Sequence, residues 1–137
     1  VLEGRHLIDV TNPLTFGPKG LALARGYSDS GAETVQRLAP GASVFKTMNQ
    51  VGFRVMDRAR DYPVPPTMFV AGDDATRKPV VMGLVADLGF GPLDGGALKM
   101  ARLLEPYAMV WINQVVAQRA EETRAFALMR RTGEANA

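Results

Sequence analysis

His6-Leu7-Ile8-Asp9-Val10 is a short run of strand-forming residues that stops at Thr11-Asn12-Pro13, and Ser43-Val44-Phe45 stops in the same way at Lys46-Thr47-Met48-Asn49. Between them Ser30 heads a segment in which Ala32, Val35, Leu38 and Ala39 are spaced to bury one helical face, with Pro40-Gly41 as its stop. Strand, helix and strand in that order predict a βαβ unit, a parallel pair joined by a right-handed crossover. Ligands of open α/β sheets sit outside the carboxyl ends of parallel strands, so the polar clusters ending these runs are where a binding site is expected. A third run, Met68-Phe69-Val70-Ala71, ends at Gly72-Asp73-Asp74 and is expected to contribute in the same way.

The other segments are read outward from this frame. The Gly- and Pro-rich stretch from Asn12 to Ser30 predicts a long loop, and Asp61–Pro66, with three prolines, an extended linker. A short helical turn is expected at Gly52–Met56. After a strand at Thr67–Ala71, Asp73 or Asp74 is expected to cap a helix that buries Val80, Val81, Leu84, Val85 and Leu88 and stops at Gly89. Pro79 delays or kinks its first turn. Phe90 to Asp94 reads as a fourth short strand. From Ala97 helix formers run almost to Arg131, with Pro106 marking a kink or a fresh start and Gly133 opening a frayed tail. The apolar residues of that stretch are dense enough to predict burial against the sheet or a second subunit.

With 137 residues, 47% hydrophobic and 22% charged, the chain has the size and apolar fraction of one compact domain or two small lobes. A net charge of +2 with scattered Lys and Arg argues against a nucleic-acid platform. Without cysteine, and with His6 as the one histidine, thiolate chemistry and a His-rich metal site are excluded. The longest uncharged stretch, Pro106 to Gln118, is too short to span a bilayer, and the amino terminus has no signal-peptide layout. A soluble, cytoplasmic protein is therefore expected. The chain opens on Val1 and enters a strand almost at once, so sequence upstream is expected as well.

Several residues have a structural and a functional reading. Asn12-Pro13 suits a turn, or an amide and a stiff wall beside a cofactor. Lys46 is either a solvated charge or a counter-charge to a phosphate or a developing anion, with Asn49 orienting an amide. Asp73-Asp74 is foremost a helix cap. Gly89 to Gly95 imitates a dinucleotide fingerprint but follows a helix, carries Pro92 and has the wrong spacing. Gly95-Gly96 either form a plain turn or expose N–H groups to a ring or an anion. Glu105 serves a cap or an ion pair, or lines a shared pocket.

The order Ile8-Asp9-Val10-Thr11-Asn12-Pro13, Ser30-Gly31-Ala32-Glu33, Val44-Phe45-Lys46-Thr47-Met48-Asn49, Ala71-Gly72-Asp73-Asp74, Leu93-Asp94-Gly95-Gly96-Ala97-Leu98 and Ala101-Arg102-Leu103-Leu104-Glu105-Pro106 resembles the coenzyme F-420-dependent NADP oxidoreductase family. That group also includes the reductase domain of eukaryotic metalloreductases. The resemblance implies an α/β fold: residues 1–94 as the second half of a Rossmann-like NADP-binding domain with a parallel sheet, and 95–137 as a mostly helical lobe for dimer and acceptor contact. It implies that Thr11, Asn12, Pro13, Lys46, Thr47 and Asn49 lie at the NADP(H) cofactor. Met48, Gly95 and Gly96 would form a pocket for a small redox acceptor, coenzyme F-420 or a flavin. The residues carry no Gly-rich phosphate loop, which in this family belongs to an earlier βαβ unit. Hydride transfer needs no catalytic acid or base from the protein. The alternatives are a ferric or flavin reductase of the same family, and a non-catalytic remnant that dimerises or binds a ligand.

Overall fold

The computed structural model describes residues 1–132; the tail expected from Gly133 lies outside them. The elements are β1 (His6–Asp9), β2 (Leu14–Gly17), β3 (Gly20–Leu23), α1 (Gly31–Leu38), β4 (Ser43–Lys46), α2 (Phe53–Asp57), β5 (Thr67–Gly72), α3 (Lys78–Asp87), β6 (Gly91–Gly96) and α4 (Ala101–Val116), with 3-10 turns at Ala59–Asp61 and Leu98–Met100. One sheet has the order β1-β4-β5-β6, and β2 and β3 form a separate antiparallel hairpin inside the stretch expected to be loop.

The first βαβ unit forms as its sequence predicts. β1 and β4 are parallel, His6 beside Ser43 through Asp9 beside Lys46, with α1 crossing between them. Ser30 caps α1, its hydroxyl oxygen accepting from the Glu33 N–H at 3.1 Å. Ala32 and Ala39 are buried, but Leu38 is exposed. Six residues past Ala32, it points about 120° away from that face.

The second half reverses direction. β5 is antiparallel to β4, Phe45 opposite Gly72 and Lys46 opposite Ala71, and β6 is parallel to β5. The fold is thus α/β and Rossmann-like, a mixed sheet of mostly parallel strands followed by a helix. The connection from β4 to β5 explains the reversal. It holds only the short α2, one 3-10 turn and the stretch with Pro63, Pro65 and Pro66, so no helix carries the chain back across the sheet and β5 enters from the end where β4 leaves. Gly72-Asp73-Asp74 consequently lies beside the start of β4, away from Thr47-Asn49. Asp74 Oδ2 there accepts from the Ser43 hydroxyl at 2.6 Å, and Asp73 Oδ1 accepts from the Leu98 N–H at 2.8 Å. The third polar cluster does not join the other two.

Adjacent residues of β4 serve two cores, as side chains alternate along a strand. Phe45 joins Val55, Met68, Val70, Val81, Val85 and Phe90, while Val44 joins Ala32, Leu98 and Ala101. α3 starts at Lys78 with Pro79 in its first turn, and Asp74 Oδ1 accepts from the Arg77 N–H just ahead of it. Its buried residues are Lys78, Val81 and Val85, whereas Val80, Leu84 and Leu88 are exposed, contrary to the face expected. Apolar side chains surround most of this helix, so their spacing alone does not distinguish its faces.

α4 runs through Pro106 and ends at Val116, well short of Arg131. Arg119 takes a φ of 54°, and the Ala120 N–H bonds back to the Gln114 carbonyl at 2.9 Å, a closure usually given to glycine. The chain beyond forms a strap on the sheet. The Phe126 carbonyl accepts from the Thr67 N–H at 2.9 Å, the Leu128 N–H donates to Thr67 Oγ1 at 2.7 Å, and the Tyr62 hydroxyl donates to the Thr123 carbonyl. Among the described residues no helix is long and apolar enough to cross a membrane.

The α3 faces are open to test by urea unfolding. Val81→Ala should cost about 1–3 kcal/mol, and Leu84→Ala should stay within about 0.5 kcal/mol of the parent.

Candidate functional site

The carboxyl ends of β1 and β4 are built around a charge cut off from solvent. Lys46 is fully buried, and its Nζ lies 3.0 Å from Asp9 Oδ2 and 2.9 Å from Glu105 Oε1, both carboxylates also buried. The ammonium also donates to the Thr11 carbonyl. Asp9 turns its other oxygen to the loop after β1, where Oδ1 accepts from the Thr11 N–H at 2.9 Å and the Thr11 hydroxyl at 2.7 Å. Glu105, on α4, accepts from the first N–H groups of α1, Gly31 at 3.0 Å and Ala32 at 3.2 Å. Two carboxylates and one ammonium leave a formal negative charge, which the positive end of the α1 dipole offsets.

Lys46 thereby joins β1, β4 and α4 directly, and α1 through Glu105. Of the two readings of Glu105, the ion pair with a helix cap is the one formed. The α1 amino terminus is taken by that carboxylate, and the Lys46 ammonium faces the interior.

The two asparagines expected at the site meet above this frame. Asn12 Nδ2 donates to the Asn49 carbonyl at 2.8 Å, and Asn49 Nδ2 donates to Asn12 Oδ1 at 3.0 Å and to the Leu104 carbonyl at 3.1 Å. Gln50 continues the row by pairing its amide with the Phe69 backbone at 2.9 and 3.1 Å, in place of the strand bonds that β4 no longer supplies. Met48 takes a φ of 60°, a left-handed conformation that costs a non-glycine residue energy. Thr47 is fully buried, and its Oγ1 has no hydrogen-bond partner among the described residues. Thr11, Asn12 and Pro13 form the accessible rim, Thr11 exposed and the other two half-buried.

Gly95 and Gly96 stand apart. Gly96 is in register with Ala71, the partner of Lys46, so the pair lies two strands across the sheet, and the chain leaves them toward Asp73. Lys78 fixes that end, its Nζ bonding Asp94 Oδ1 at 2.8 Å and the Gly96 carbonyl at 2.9 Å. Asp9 and Gln50 were not singled out from the sequence. The available signal for Asp9 was a carboxylate inside an apolar strand.

A second ion pair ties α4 to α1 nearer the surface. Arg102 holds both Glu33 oxygens, at 2.7 and 2.9 Å. Its hydrogen bonds keep the Glu33 carboxyl below its ordinary range against the opposing effect of burial, with the Ser30 hydroxyl adding to the lowering. A carboxyl lowered in the fold adds stability above its unfolded pKa and loses it as pH falls through the folded value. Thermal melts between about pH 5 and pH 2 should therefore show a smaller acid loss in Arg102→Ala than in the parent. Lys46→Met leaves Asp9 and Glu105 uncompensated and should cost about 3–5 kcal/mol in chemical unfolding at neutral pH.

No family model matches the chain. Among solved structures it is similar to a candidate F-420-dependent NADP reductase from Arthrobacter sp. FB24, at 32% identity and a TM-score of 0.85, over 94% of this chain and 59% of that one. It is also similar to a hypothetical protein from Sinorhizobium meliloti, at 27% identity and a TM-score of 0.62, over 74% of this chain and 50% of that one. The matches thus span 59% of the first protein and 50% of the second, less than two thirds of either. The first of these likenesses holds in sequence as well as in fold.

Proposed function

We propose that this chain is the part of an NADPH-dependent oxidoreductase that holds the nicotinamide end of NADP(H) at the carboxyl ends of β1 and β4 and presents it to a planar acceptor, a deazaflavin or a flavin. The observation that carries this reading is the linked pair Asn12 and Asn49, with the buried, unpartnered Thr47 hydroxyl and the left-handed Met48 beside it. The similarity to a candidate reductase supports the same assignment.

The residues fit one end of the cofactor. A carboxamide ring needs neutral donors and acceptors at fixed positions, which amides, a hydroxyl and the Pro13 wall supply. The phosphates are another matter. Lys46 and the α1 amino terminus, the groups here suited to an anion, are already engaged with carboxylates, so other groups must hold the phosphates.

When bound, NADPH supplies a hydride. The protein's work is to orient two flat rings and shield the hydride path, while the proton that completes reduction of the acceptor ring is taken up from solvent. Lys46, Asp9 and Glu105 act as positioning residues in this scheme, because they fix Thr11 and the strand ends without facing solvent. Asn49, bonded both to Asn12 and to the Leu104 carbonyl, sets the spacing between the ligand end of the sheet and α4.

Calorimetric titration of the purified chain with NADPH tests the reading, with saturable micromolar binding expected. Thr47→Val separates ligand from fold. Removing an unsatisfied hydroxyl should leave the ligand-free melting temperature equal or higher, because the orphan group costs about 1–3 kcal/mol, while NADPH affinity falls. Unchanged affinity in a stabilised Thr47→Val variant would show that the hydroxyl has no part in binding.

A further inference from the structure

A cavity of about 360 Å³ opens between α4 and the strap, lined by Val110, Trp111, Val115, Ala125 and Phe126, with Gln114 and Arg124 as its polar members. Its volume lies in the range of small-molecule sites. Both aromatic walls are held in place. The Trp111 Nε1–H donates to the Arg124 carbonyl at 2.7 Å, and the far edge of the indole lies so close to Gly52 that a Cβ there would come within 2.4 Å of it. Phe126 is anchored through its carbonyl to the Thr67 N–H and packs on Tyr107 at 5.6 Å between ring centres.

Charge gives the cavity a preference. The Arg124 guanidinium has neither an ion pair nor a hydrogen bond among the described residues, unlike Arg37, Arg54, Arg77 and Arg102, each paired with a carboxylate. Fixed aromatic walls favour a flat ring, and a lining arginine whose guanidinium is uncommitted favours an anionic substituent on that ring. We propose that this cavity binds a planar aromatic molecule carrying an anionic group, the ring against Trp111 and Phe126 and the anion on Arg124. The assignment goes beyond the NADP(H) reading and does not depend on it.

Trp111 is the sole tryptophan of the chain, so its emission reports on the cavity. Flavin mononucleotide and riboflavin are suitable probes, sharing one ring system and differing in a phosphate. After correction for flavin absorbance, flavin mononucleotide should quench Trp111 saturably and bind about tenfold more tightly than riboflavin, as one charge-assisted hydrogen bond would give. Arg124→Ala should abolish that difference and leave riboflavin affinity unchanged. Ala125→Phe should fill the cavity and remove both affinities at an unchanged melting temperature, and Val115→Phe offers the same test should Ala125→Phe not fold. Absence of saturable quenching by either flavin would overturn the proposal, as would equal affinities for the two, or unchanged binding in a folded cavity-filling variant. A concentration-dependent dimer that Ala125→Phe converts to monomer would overturn it too, by assigning the cavity to a second copy of the chain.

Discussion

The arrangement of this protein depends on one ammonium group with no access to water. Lys46 is enclosed with Asp9 and Glu105, and burial of such charges is tolerable only where every member is paired and hydrogen-bonded. That requirement is what brings four elements to fixed distances. β1 must deliver Asp9, β4 must deliver Lys46, and α4 must place Glu105 where α1 can cap on it. A hydrophobic contact would tolerate sliding, but this one does not, because displacement strands a charge in the interior. The loops bearing Thr11, Asn12 and Asn49 rise from a base that cannot drift.

The reversal between β4 and β5 gives the two ends of the sheet different chemistry. At the end where β1 and β4 leave, the visible groups are amides and hydroxyls, and the charges lie beneath them. At the other end the charges are on or near the surface and already matched: Asp74 with Ser43 and Arg77, and Asp94 with Lys78. A groove of about 560 Å³ lies there, lined by Gln36, Arg37, Ser43, Asp73 and Asp74 among others, and the charged groups along it are satisfied within the protein. Neutral recognition and structural ion pairing are thus divided between opposite edges of one sheet.

Much of this was legible in the sequence, and the failures have physical causes. Ser30 as a cap, the parallel β1–β4 pair and the strand at β5 follow from local signals that the fold respects. The direction of β5 does not, because direction depends on whether a connection can cross the sheet, and proline spacing shows only that the chain is extended. The buried face of α3 is rotated from the expected one because Pro79, Met82 and Ala86 make the helix apolar on its other sides too, and the sheet beneath selects Val81 and Val85. The end of α4 was hidden because Arg119 adopts a glycine-like conformation without being glycine. At the site, the asparagines were visible as strand-end polar residues. Their mutual pairing and the burial of Lys46 were not, since both join residues 37 positions apart.

Gly52 and Trp111 share a single volume. The indole fills the space a side chain at position 52 would occupy, so the sizes of the two residues are linked and are not two independent choices. Among homologues, a bulkier residue at the first should be accompanied by a smaller one at the second, a pairwise exchange that an alignment would record as covariation between the end of the β4 loop and the middle of α4. Change at this point of the molecule is therefore favoured in coordinated steps, because the indole in its present place leaves room for no side chain at position 52.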